Sequence, residues 1–220
     1  MKAVFFDIDE TLLSEKPLIM LFLPQVYTQI AKKLGISKDR ARELFLNEIM
    51  GRKETYEWHD WNFFFKLFNL DLNYEDLLRT YPHKLEVFPD SKPALEWLKD
   101  NGYILGVITS GPEYQRLKLR LTKLDKYFDV VITREDVNAI KPEPKIFFHA
   151  LEEAGVEPRD AVMVGDSLQQ DVFGAKNVGM TGIWINRRSE DDYYFADYKI
   201  RSLYELMTIL RREERDESHI

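Results

Sequence analysis

Val4-Phe5-Phe6-Asp7-Ile8-Asp9-Glu10-Thr11-Leu12-Leu13, read as VFFDIDETLL, decides how this chain is understood. An apolar run empties into three acids, followed by a hydroxyl and two leucines. Carboxylates beside a buried strand are costly unless a cation or hydrogen bonds meet them. If VFF is a strand, side chains alternate with period two, so Asp7 and Asp9 point to one side while Glu10 faces elsewhere. That spacing suits a single shared site.

Further along, ILGVIT (104–109), DVVIT (129–133), AVMVGD (161–166) and TGIWI (181–185) read as buried strands. Helical patterns lie between them at 93–100, 113–123, 145–154 and 169–177, with Gly102, Gly155 and Gly179 as stop signals. Strands that are apolar throughout and separated by helices predict a doubly wound α/β core: a parallel sheet covered on both faces. Residues 14–86 break the alternation, with helical stretches near 18–34, 38–50, 54–69 and 74–81 and no convincing strand. Asn73 with Asp76 resembles a capping box at the last of these. The expected organisation is therefore a core of 1–13 and 87–220 interrupted by a helical domain of 14–86. Near the end, YELMTILRREERDESHI begins as an amphipathic helix and finishes as a charged tail.

Composition narrows the function classes. A formal net charge of −7 argues against a general nucleic-acid binder, which draws its affinity from Lys and Arg on phosphates. No apolar stretch reaches the ~18 residues of a membrane span, and the opening MKAVFFDIDE lacks the pattern of a signal peptide. Cysteine is absent, which removes disulfides, thiolate metal sites and Cys nucleophiles. A cytoplasmic protein, monomer or homodimer, is expected, with neither nucleic acid nor membrane as partner.

In parallel α/β sheets, ligand-binding residues gather at the carboxyl ends of the strands. Asp7/Asp9, Thr109-Ser110, Lys141 and Asp166/Asp171 all fall there. A carboxylate can attack phosphorus and form an acyl phosphate. A second carboxyl can protonate the leaving alkoxide and then take a proton from water. Four clustered acids repel one another and an incoming phosphate, a conflict that a Mg²⁺ ion resolves. A lysine and a hydroxyl complete a site for phosphoryl transfer. Each piece alone has a plainer reading: strand-end acids cap helices, Thr109-Ser110 before Gly-Pro turns the chain, and Lys141 before proline is a surface lysine. The combination, at successive strand ends, is what points to chemistry.

DIDET at 7–11, VITSG at 107–111, IKPEPKIF at 140–147 and VGDSLQQD at 164–171 resemble the four ordered motifs of the haloacid dehalogenase (HAD) superfamily. The helical insertion is similar to that family's type I cap. The resemblance implies Asp7 as nucleophile and Asp9 as general acid/base, with Thr109, Ser110 and Lys141 binding the phosphoryl group. It also implies Mg²⁺ held by Asp7, the backbone carbonyl of Asp9, and Asp166, with Asp171 a ligand or an organiser of metal-bound water or Lys141. Glu10 and Ser110 stand where many members have glycine and asparagine. The expected activity is hydrolysis of a small phosphorylated metabolite through an aspartyl phosphate. A 2-haloacid dehalogenase is disfavoured because Asp9 sits where that branch resembles tyrosine or another non-acid. A phosphomutase shares the core but its cap signature is not recognised here. A receiver-like phospho-switch carries its acceptor on a middle strand and lacks a cap.

Outside the motifs, Trp58, His59, Trp61, Phe63, Phe64, Phe65 and Phe68 form an aromatic cluster, read as cap core or core–cap interface rather than as a stacking platform. Arg116, Lys118 and Arg120 read as the solvated side of a helix. Tyr193-Tyr194-Phe195 reads as part of a buried C-terminal segment. Glu10 has no evident role.

Overall fold

The structure is a computed structural model and describes residues 2–187 and 195–217, with side chains described as far as Arg212. The chain divides into two compact units, one of Met1–Ser14 with Val87–Ile220 and the other of Glu15–Glu86.

The first unit is built on β1 (Ala3–Phe6), every residue of which is buried. The chain leaves through the two-residue β2 (Leu13–Ser14) and returns through β3 (Glu86–Val87). It then alternates α5 (Ser91–Asp100), β4 (Ile104–Ile108), α6 (Tyr114–Thr122), β5 (Val130–Ile132), the single turn α7 (Arg134–Val137), α8 (Pro144–Ala154) and β6 (Ala161–Gly165). A π-helical turn (Leu168–Phe173), α9 (Gly174–Asn177), β7 (Thr181–Ile185), β8 (Tyr198–Ile200) and α10 (Leu203–Glu217) complete it. The strands form one six-stranded sheet in the order β5-β4-β1-β6-β7-β8, with parallel pairing throughout. Central β1 pairs Ala3 with Ile104 on one side and with Ala161 on the other.

Both faces of β1 are covered, which is why VFF carries no polar alternation. On one face Phe5 packs with Ile108, Ile132, Ile146, Phe147 and Met163. Each such side chain removed from water contributes about 1.5–3 kcal/mol before the entropy of ordering is subtracted. Helix α8 ends at Gly155, whose φ of +64° is the left-handed conformation that glycine adopts at least cost. After β1, Leu12 and Leu13 both donate to the Ile8 carbonyl, folding DIDETLL into a tight loop. Phe88 N–H and Ser91 Oγ each donate to the Leu12 carbonyl, at 3.1 and 2.7 Å, so the outgoing and returning chains are fastened side by side.

The second unit contains α1 (Lys16–Leu34), α2 (Lys38–Gly51), α3 (Trp61–Leu67) and α4 (Tyr74–Thr80). Asn73 accepts from Asp76 N–H at 3.0 Å and so caps α4, as its spacing suggests. The helix expected over 54–69 exists only from Trp61. Asp60 accepts from Phe63 N–H and starts the helix there, while Glu54, with φ of +65°, belongs to a run of turns. Phe64 and Phe65 are buried within this unit, and Phe22 meets Trp61 and Phe65 edge to face with ring centroids at 5.1 and 5.5 Å. His59 lies half-buried against Trp58, ring centroids 4.7 Å apart.

Residues 169–177 are not one α-helix: Val172 N–H reaches back five residues to Ser167 O, the wide π spacing, before α9 begins. Strand β8 was not foreseen, because YKI is short and half polar. Phe195 is 46% exposed rather than buried, with its ring 5.7 Å from that of Phe173; Tyr193 and Tyr194 lie outside the described residues, as does the end of the charged tail.

Candidate active site

The site forms where β1, β4 and β6 end and the chain turns from each strand. Asp7 is the first residue beyond β1, and its N–H donates to Val164 O on β6. Its Oδ1 accepts from Lys141 Nζ at 2.6 Å, and the same ammonium reaches Asp171 Oδ1 at 2.6 Å. Lys141 and Asp171 are almost fully buried, which explains their pairing: a buried charge without a partner is strongly destabilising. Burial works against the Lys141 charge, but Asp171 and Asp7 outweigh it and hold the ammonium well above the usual lysine range. Lys141 is thus no surface lysine.

Two local devices place these groups. The π-helical turn swings Asp171 back so that its Oδ2 accepts from Ser167 N–H at 2.9 Å while Oδ1 holds Lys141. Gly165 makes room for it, since a Cβ there would lie 2.2 Å from the Asp171 carboxylate. On the other side, Lys141 N–H donates to Ser110 Oγ at 3.0 Å, tying the lysine's backbone to the end of β4. Thr109 is buried beside it, its Oγ1 accepting from Gly111 N–H at 3.1 Å.

The acids strain against each other. Burial pushes the Asp7 carboxyl up to about 7; the charges of Asp171 and Asp9 add to the rise, and Lys141 opposes it. Asp166 is open to solvent on one side, yet crowding by the surrounding protein and the charges of Asp7 and Asp171 push it to about 8. One lysine does not neutralise this group, so the site has capacity for a further cation. Among the described residues no three acids or histidines form a ready-made metal cage. Mg²⁺ does not need one: it takes one or two carboxylates and fills its octahedron with waters and substrate oxygens. Asp7 and Asp166 fit that donor set.

Asp9 is held separately. Its two oxygens accept from Lys118 Nζ at 2.9 and 3.0 Å, and Oδ2 also accepts from Gln115 Nε2 at 2.8 Å. This corrects the reading of α6. Lys118 is 1% exposed, not solvated, and Arg116 is half-buried against Asp136 and the Val131 carbonyl; of the three only Arg120 is exposed. The helical period carries the signal: Gln115, Lys118 and Thr122 recur at i, i+3 and i+7 on the inward face, whereas Arg116 and Arg120 share another.

Glu10 also finds a place. Its φ is +59°, the left-handed conformation that favours glycine, and its side chain accepts from Ser14 Oγ at 2.6 Å. It is a turn residue that braces the loop after β1.

The haloacid dehalogenase-like hydrolase family model matches residues 1–179. The chain belongs to that family. Among relatives of this HAD hydrolase, a glyceraldehyde 3-phosphate phosphatase of Pyrococcus furiosus is 31% identical, with all of this chain and 97% of the relative covered. A crystal structure of a HAD phosphatase from Thermococcus onnurineus is 70% identical, with TM-score 0.94 over 96% of this chain and 98% of that one. The HAD chain is also similar to a 2-haloacid dehalogenase from Pseudomonas syringae, at 28% identity and TM-score 0.70 over 96% and 99% of the two chains.

Proposed function

We propose that this HAD hydrolase is a Mg²⁺-dependent phosphatase of small phosphorylated metabolites that works through an aspartyl phosphate on Asp7. Its class as a phosphoric monoester hydrolase accords with its phosphatase relatives. The similarity to a dehalogenase means that the fold alone does not choose the reaction. The observation that carries the choice is the separate tethering of two carboxylates: Lys141 holds Asp7, while Lys118 and Gln115 hold Asp9. A halide leaving group needs no proton, whereas an alkoxide does, so a dedicated second carboxyl belongs to phosphate ester chemistry.

In this reading an Asp7 oxygen attacks phosphorus and the ester P–O bond breaks, its electron pair passing to the leaving oxygen. Asp9 protonates that oxygen. Asp9 then takes a proton from water as the water oxygen attacks phosphorus, and the Asp7–phosphorus bond breaks to return a free carboxylate. Lys141 steers Asp7 and, with Thr109 and Ser110, meets the phosphoryl oxygens. Asp7, Asp166 and the Asp9 carbonyl would hold Mg²⁺, which when bound offsets the repulsion between carboxylates and phosphate; Asp171 organises Lys141. The helical unit serves as a substrate-selecting cap. No helix among the described residues is long and apolar enough to cross a membrane; we take the enzyme to be cytoplasmic, with a small-molecule rather than nucleic-acid or membrane partner.

The test is a panel of phosphorylated metabolites, glyceraldehyde 3-phosphate among them, with Mg²⁺ or with EDTA, reading free phosphate. Phosphate release is expected with Mg²⁺ only, and Asp7→Asn is expected to abolish it. Undiminished turnover by Asp7→Asn would sink the nucleophile assignment, and chloride release from 2-chloropropionate without phosphate release would move the enzyme to the dehalogenase branch.

A further inference from the structure

We infer that Lys118 and Gln115 are positioning residues that fix the orientation of the Asp9 carboxylate for proton transfer. The inference rests on the phosphatase reading for its chemistry, but its geometry is independent of it. An aspartate side chain at a strand end has freedom about two torsions. Here three hydrogen bonds remove it: Lys118 Nζ grips both oxygens, and Gln115 Nε2 adds a second donor to Oδ2. Bonds donated by an ammonium are among the stronger hydrogen bonds proteins make.

The grip is built rather than incidental. Lys118 is 1% and Gln115 3% exposed, so neither is a surface side chain folded onto a convenient acid. The Lys118 ammonium also stands 5.8 Å from the centre of the Tyr114 ring, in reach of its electron-rich face. Gln115 lies directly over Gly111, where a Cβ would come within 2.3 Å of its amide nitrogen. The glycine two residues past Thr109 thereby leaves space for the amide that holds Asp9. The Gln115 nitrogen faces Asp9 and donates to it, so its Oε1 faces away. That oxygen is buried and has no hydrogen-bond partner among the described residues.

The experiment exploits the leaving group. kcat/KM reports steps through formation of the acyl phosphate, where Asp9 must protonate an alkoxide but need not protonate nitrophenolate. Lys118→Met and Gln115→Leu are compared with wild type on glycerol 3-phosphate and on 4-nitrophenyl phosphate. The expected result is a loss of roughly 100-fold on the alkyl ester with only a few-fold loss on the aryl ester. In an Asp9→Asn background Lys118→Met should add nothing further. Equal losses on the two esters, or additive losses with Asp9→Asn, would mean a merely structural role and overturn the inference. Crystal structures of wild type and Lys118→Met decide the matter without turnover: Asp9 should leave its wild-type rotamer, and an unmoved Asp9 overturns the inference even in a chain inactive on both esters. Failure of the phosphatase reading shows instead as wild-type inactivity.

Discussion

At the scale of single residues, Lys141 has the greatest consequence. Its ammonium bonds both Asp7 and Asp171, and Asp171 is 1% exposed. Lys141→Met should therefore do more than stop turnover. It leaves a buried carboxylate uncompensated, which is expected to cost about 3–5 kcal/mol in urea unfolding without divalent cations. Pairing it with Asp171→Leu should restore most of that stability while leaving activity absent; an unimpaired single variant would contradict the burial argument. Most residues of the candidate site were legible in the sequence because strand ends and period-two spacing single out Asp7, Asp9, Thr109, Lys141 and Asp166 without any contact being known. Lys118 was not, since a lysine between two arginines looks solvated until the helix is phased against Gln115 and Thr122. Glu10 was equally opaque, because nothing in a glutamate announces a positive φ.

At the scale of elements, the short α7 shows how one carboxylate anchors a turn. Asp136 Oδ2 accepts from Thr133 N–H at 2.7 Å, Thr133 Oγ1 at 2.9 Å and Arg116 Nη2 at 2.8 Å. Burial pushes its carboxyl up, but these donors and the Arg116 charge prevail and hold it below the ordinary carboxylate range. A folded pKa below the unfolded one contributes stability that is present above the unfolded value, about 3.9, and is lost as pH falls through the folded value. Asp136→Asn should accordingly cost about 1 kcal/mol at neutral pH. The gap from wild type should close as the pH is taken below about 4, as thermal melts at both pH values would show. A gap that persists in acid would assign the loss to packing instead. The regular strands and long helices were legible from periodicity. The π-helical turn was not, because its register is set by Asp171 reaching Lys141 and Ser167, contacts that local sequence does not encode.

At the scale of the molecule, every named site residue belongs to the unit of Met1–Ser14 and Val87–Ile220. The chain ends that border the helical unit are fastened at Leu12, with Phe88 and Ser91 donating to its carbonyl. Replacing residues 15–86 by a short Gly/Ser linker should therefore leave a folded core. That core should still cleave 4-nitrophenyl phosphate with Mg²⁺ while losing selectivity among metabolites, measured as a flattened spread of kcat/KM across the panel. A core that folds, by circular dichroism and a cooperative melt, yet cleaves nothing would show that the helical unit contributes to the chemistry itself.

The position of β1 at the centre of the sheet bears on how the protein is made. Ala3–Phe6 leaves the ribosome before both of its partners, Ile104–Val107 and Ala161–Val164. At ~5–20 residues per second, the second partner follows on the order of 10–30 s later. Until then the apolar segment that leads into Asp7 waits with at least one edge unpaired, with the helical unit emerging behind it. Synthesis thus delivers the centre of the sheet before either of its neighbours, and the Asp7–Lys141–Asp171 bonds form only once those distant segments have followed.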